Sequence, residues 1–275
     1  MARHPHLRPM EPVPANTVWP RARTVGAVLA ALVLACGVPA AIAQTAAAAI
    51  PRTAEGHPDF TGIWQVMTTA AWDLEPHVAQ QGVPAGLGVV DGNEIPYLPS
   101  ARAQKQKNFA NRDTLDPDRK CYLPGVPRVM YEPFPFEIVQ TTGLVTMLFE
   151  YVHAVRYLFM NTPHPAGPIE WWMGDSRATW QGDTLVVDVR HFNADTWFDK
   201  AGNFHSEDLH LVERYVMTDR DHISYSVTVE DPKVFSRPWT MQITLYRHNE
   251  PNLRLLEFEC YSFDGPDIYK TIHTR

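Results

Sequence analysis

Beyond Phe134 the chain alternates apolar and polar residues with a period of two, in runs separated by turn residues. Phe136 to Thr141 and Leu144 to Glu150 flank Thr142-Gly143, while Trp180 and Thr184 flank Gln181-Gly182-Asp183. Both spacings are those of tight hairpins. Leu209 to Met217 and Ile223 to Asp231 flank a charged tip, and Met241 to Tyr246 and Leu253 to Cys260 flank Asn249-Glu250-Pro251-Asn252. Hairpin after hairpin without helical periods predicts a mainly β, antiparallel meander, closed as an up-and-down barrel or folded as a sandwich. One barrel-like domain over residues 59–275 is the expectation.

The alternation also assigns faces. Leu209, Leu211, Tyr215, Met217, Ile223, Tyr225, Val227 and Val229 are apolar at odd positions, so paired residues must sum to an even number, most simply 440. Glu213 then lies opposite Val227 on the apolar, inward face, while His210 faces Glu230 and Arg214 faces Ser226 on the other side. Leu185, Val187 and Val189 likewise point inward, with Asp188 and Arg190 outward as a solvated ladder. In the last run Leu256, Phe258 and Cys260 are expected to face the core.

The first part of the chain differs. Arg21 and Arg23 precede an apolar run from Val25 to Ala35, followed by the small-residue site Ala41-Ile42-Ala43. This predicts a Sec signal peptide over residues 1–43, cleaved after Ala43, and hence a periplasmic or secreted protein without a stable membrane span. The competing reading is a lipoprotein anchored through Cys36. Residues 44–58 read as a flexible leader. Residues 76–128 carry many prolines and glycines and predict a long ordered excursion, with a helix from Ala101 toward Arg112 capped by Ser100.

Removing the leader leaves 20 basic against 30 acidic residues, a net charge of −10 with His neutral. Binding of nucleic acid through a basic face is thereby disfavoured, and a small neutral or apolar ligand fits better. Cys121 and Cys260 remain as a pair, which an oxidising compartment would bridge. No sequence pattern calls for a metal or cofactor.

Chemistry concentrates in His205-Ser206-Glu207-Asp208-Leu209-His210-Leu211-Val212-Glu213-Arg214. A carboxyl held in a dry wall and imidazoles nearby are groups that move protons near neutral pH. Glu213, His205 and His210 are the candidate catalytic residues, and Arg156 and Arg214 the candidate holders of an anionic or phenolic oxygen. The plainer alternative makes Glu213 a hydrogen-bonded core acid, answered by Arg156 or by a His from another strand, or a strand-edge residue exposed by a bulge, and the histidines satisfied or solvent-facing imidazoles. His205 and His210 are an odd number apart and fall on opposite faces of a continuous strand. Trp171, Trp172, Trp180, Trp197 and Trp239 stand near turns or strand ends, where indoles can line a mouth or simply pack.

Gly62-Ile63-Trp64 resembles the opening of a first strand in lipocalin-like barrels. Together with Pro58-Asp59-Phe60, Trp180-Gln181-Gly182-Asp183-Thr184-Leu185-Val186-Val187-Asp188, the His205 to Arg214 segment, and Glu230-Asp231-Pro232 before Arg237-Pro238-Trp239-Thr240, the chain resembles a large family of exported bacterial β-rich proteins without a settled function. Members commonly carry Cys-His-Glu-Gly-Asn-Tyr where this chain has Cys260-Tyr261-Ser262-Phe263-Asp264-Gly265, so the family's His and Glu are absent here. The leading functional expectation is a cofactor-independent lyase or hydrolase acting on a small aromatic molecule in a barrel pocket. The alternative is a non-catalytic periplasmic carrier or sensor.

Overall fold

A computed structural model describes residues 49–258 and Cys260, all belonging to the unit Ala46–Arg275. The expected signal peptide, Cys36 and the run after Cys260 lie outside the described residues. Nine strands close into a barrel in chain order: β1 (Gly62–Val66), β2 (Phe136–Gln140), β3 (Leu144–Phe149), β4 (Val155–Met160), β5 (Asp175–Gln181), β6 (Thr184–Arg190), β7 (His210–Asp219), β8 (His222–Glu230) and β9 (Trp239–Arg247).

An odd number of strands cannot close by strict alternation, because the last would then run the same way as the first. One neighbouring pair must be parallel, and here it is β4 with β5, from Leu158↔Ser176 to Met160↔Ala178. The other pairs are antiparallel, including β9 back onto β1. Residues 161–174 therefore carry the chain back along the barrel from the end of β4 to the start of β5.

The third hairpin pairs in the predicted register, with Glu213↔Val227, His210↔Glu230 and Arg214↔Ser226, and slips by one residue only at Asp219↔His222. Inward positions carry large side chains, among them Trp64, Phe136, Tyr215 and Tyr225, each almost wholly buried. Burying a large apolar side chain contributes roughly 1.5–3 kcal/mol, so this filling is a major support of the barrel.

Two sequence expectations are corrected. Leu253 to Phe258 form no strand, and Leu256 is exposed rather than turned to the core. The position beside β9 is taken by β1, through Trp64↔Arg247 to Val66↔Leu245, and the tail instead passes Glu150, whose carboxylate accepts from the Leu256 N–H. The helix α1 spans Pro99–Ala110, so Ser100 is inside it and makes no cap; Pro99, with its fixed φ, starts it. A short α2, Arg112–Leu115, follows. No described helix is long and apolar enough to cross a membrane.

Residues 50–58, expected within the leader, fold as a turn with an Arg52↔Pro58 bridge, and Arg52 pairs with Asp183 at 2.7 Å. At the opposite end, segments from 67–135, 150–154, 191–209 and 231–238 cap the barrel. Leu98 N–H donates to Val234 O at 2.9 Å, Tyr97 to Asn203 at 2.8 Å and Tyr131 to Phe198 O at 2.9 Å. A disulfide joins Cys121 in this cap to Cys260, as expected from the cysteine pair.

Candidate functional site

Only two of the sequence-selected residues meet in one polar centre. Arg156 projects inward from β4 and Glu213 from β7, and the guanidinium grips the carboxylate through both Nη atoms, Nη1 to Oε1 at 3.0 Å and Nη2 to Oε2. Tyr225 donates to Glu213 Oε1 at 2.6 Å and Tyr215 at 3.3 Å. Arg156 Nε and Nη2 both donate to Ser176 Oγ, at 3.1 and 3.0 Å, and Nη1 also reaches Tyr215 Oη at 3.3 Å. All five N–H groups of the guanidinium are thus engaged.

The electrostatics follow from this enclosure. Burial by itself would lower the Arg156 guanidinium, but Glu213 beside it outweighs that and holds it above its ordinary value. Burial, reinforced by the Glu213 charge, pushes the Tyr215 and Tyr225 phenols well above theirs. The tyrosines therefore stay protonated and act as donors. Glu213 faces two guanidinium nitrogens and two phenols, so its oxygens are largely committed to structural hydrogen bonds.

The other selected residues are dispersed. His205 is buried under the cap, with Nδ1 donating to Ser206 O at 2.9 Å and Nε2 accepting from Thr196 Oγ1 at 2.6 Å, an arrangement of the neutral ring. Burial lowers its pKa, which agrees. His210 lies outside the barrel between Asp188, at 2.9 Å, and Glu230, at 3.2 Å. Asp188 also takes His164 at 2.7 Å and Arg190 at 2.8 Å, and despite partial burial these partners hold its pKa down at about 2. Asp188 and Arg190 are therefore part of a clamp on residues 161–174 as well as a surface ladder.

Arg214 is on the outer face and reaches Gln181 at 3.2 Å. Trp180 stacks on His57 with centroids 4.5 Å apart, at the uncapped end. Trp197 pairs across a bridge with Phe204, and Trp239 packs edge-on to Phe198 and Phe235, both under the cap.

A concavity does open beside the Arg156 centre. Because β4 and β5 pair over only three residues, the wall parts between Val155–Tyr157 and residues 171–174, leaving a slot of about 570 Å³. Residues of both faces line it: Arg156 and Ser176 from inside, Tyr157, Phe159, Trp171 and Trp172 from outside. Arg177 lies 4.7 Å above the Phe159 ring, and Trp172 packs on Tyr122 at 4.9 Å.

Ser176 is the residue that sequence reasoning missed. It accepts two N–H bonds from Arg156, so its lone pairs are used and its own proton must point away from the guanidinium. Among the described residues no acceptor takes that proton. Its sequence signal is faint, a serine at an inward position of β5 where the neighbouring inward residue is Ala178.

Fold and site together define a closed nine-stranded β-barrel with a side opening over a buried Arg–Glu pair. Comparison of the chain with protein-family models, curated proteins and solved structures finds no match.

Proposed function

We propose that this is an exported ligand-binding barrel, a carrier or sensor that holds a small flat aromatic molecule in the slot between β4 and β5. The ring lies among Trp171, Trp172, Tyr157 and Phe159, and an oxygen of the ligand accepts the Ser176 proton. The observation that carries this reading is the Ser176 hydroxyl: nearly buried, polarised by Arg156, and without an acceptor among the described residues, on the floor of an aromatic slot. A buried donor left unmatched is costly, and a ligand oxygen would relieve it. The disulfide suits an exported protein.

This reading is preferred to acid–base chemistry at Glu213, because the saturated Arg156 guanidinium stands between that carboxylate and the slot. Calorimetric titration with 2-acetylnaphthalene, a flat aromatic ketone, tests it. One-to-one binding is expected, weakened about 3–10-fold in Ser176→Ala, the loss of one hydrogen bond worth ~0.5–1.5 kcal/mol. Absence of binding, or affinity unchanged in both Ser176→Ala and Trp172→Ala, would overturn it.

A further inference from the structure

A second concavity, of about 330 Å³, lies at the capped end and shares no lining residue with the slot. It is built from the excursion, the approach to β2, the 198–203 loop and the tail that the disulfide pins. Phe134, Tyr151 and Phe258 pack on one another with centroids 4.9–5.2 Å apart and form an aromatic wall, with Trp72 also lining the cleft. Glu132, whose side chain is 4% exposed, lines the same cleft with Asp118, Arg119 and Lys200.

The bonding of Glu132 is unlike that of Glu213. Arg128 divides its guanidinium among three carboxylates, Nε to Glu132 at 2.8 Å, Nη1 to Asp116 at 3.0 Å and Nη2 toward Asp118 at 3.5 Å. Asp118 Oδ1 and Arg128 Nη2 are enclosed without a hydrogen-bond partner among the described residues. Glu132 is thus neutralised through one nitrogen instead of two. Burial pushes its carboxyl up to about 7 against the pull of Arg128, with the Asp118 charge adding to the rise. Both its acid and base forms are therefore populated near neutrality. Lys200, 36% exposed and 3.7 Å from Asp118, supplies an ammonium at the rim, close enough to bias Glu132 in the opposite sense.

We propose that this cleft is a proton-transfer site, where Glu132 and Lys200 interconvert the keto and enol forms of a small carbonyl compound bearing an aromatic ring. The Glu132 carboxylate takes a proton from the carbon beside the carbonyl. The electron pair of that C–H bond moves into the new C=C bond, and the carbonyl pair moves onto oxygen. Lys200 faces the enolate oxygen and balances its charge. Return of the proton from Glu132 to that oxygen gives the enol and restores the carboxylate, so no further reactant is needed. The aromatic wall holds the ring and keeps water from the enolate.

The test uses phenylpyruvate as probe, with its enol followed by ultraviolet absorbance in the presence of the mature protein. The expected result is acceleration over buffer, with an inflection near pH 7 in kcat/KM. Glu132→Gln should lower the rate about 100-fold or more, the usual range for removing a general base. Lys200→Ala, at a part-exposed rim position, should lower it at least 10-fold and move the inflection upward, since the ammonium pulls the Glu132 carboxyl down. No acceleration over buffer, or a full rate in folded Glu132→Gln, overturns the assignment; should Glu132→Gln fail to fold, a full rate in Lys200→Ala does so alone.

Discussion

Arg156 and Glu213 come from strands that are not neighbours, β4 and β7, and meet across the barrel interior in a two-bonded ion pair 2% and 0% exposed. Breaking such a pair on one side leaves a buried charge unanswered. Glu213→Leu should cost roughly 3–5 kcal/mol, whereas the double change Arg156→Met with Glu213→Leu should cost far less. Urea denaturation of the three proteins measures both. Equal losses in single and double variants would contradict the pairing.

A second acid, Asp199, sets a pH dependence of the opposite kind from ordinary carboxylates. Burial, and then the charge of Asp73, push Asp199 up to about 8, while Asn203 Nδ2 reaches both carboxyls, at 2.5 and 3.3 Å. The fold favours the protonated form, so the unfolded chain gives up its proton first as pH rises. Stability from this group is complete below the ordinary carboxylate range and is lost as pH climbs through about 8. Buried His205, with its lowered pKa, works in the other sense only up to the ordinary imidazole range. Urea midpoints should therefore fall between pH 7 and 8.5, and Asp199→Asn should flatten that fall; an unchanged slope would refute the assignment.

The Cys121–Cys260 bond spans 139 residues. Closing so long a loop restricts the unfolded chain, so reduction or Cys260→Ser should cost about 3–5 kcal/mol in the loop-entropy picture. Thermal melts with and without reductant give the difference, and labelling of the unreduced protein should find neither thiol.

Gly174 turns the returning chain into β5 at φ 64°, with Phe192 only 2.8 Å from where a Cβ would stand. Gly174→Ala meets both a left-handed backbone and a packed ring, and should lose about 1–3 kcal/mol. It should also disturb the slot, which Gly174 lines. A melt superimposable on the wild type would show that the turn relaxes freely.

Much of the barrel is legible in the sequence because alternation is a local signal. Leu211, Glu213 and Tyr215 declare their face, and the sum rule places Val227 beside Glu213 without any coordinates. Direction is not local: nothing in Pro163, Pro165, Gly167 and Pro168 says that the next strand will run parallel to the last. The alternation of Leu256 and Phe258 misleads for a related reason, since closure by β1 takes the position the tail would have filled. Arg156 could be named as a partner of Glu213, but its choice over a histidine depends on the curvature that brings β4 and β7 together. Glu132 is illegible altogether. It sits in an aperiodic, proline-rich stretch, where only the Arg128 spacing of four hints at a pair.

The parity of the barrel has a consequence for the segment that borders its opening. Adding or deleting one strand would make the count even, and the chain could then go round by short reversals alone, with no long detour outside the cylinder. Trp171 and Trp172, which frame the gap, stand on that detour. The return segment is thus a matter of arithmetic before it is one of side chains, while the gap beside it comes from the three-residue pairing of β4 with β5, and residues 161–174 can be altered while the pairings of β6 to β9 are left alone.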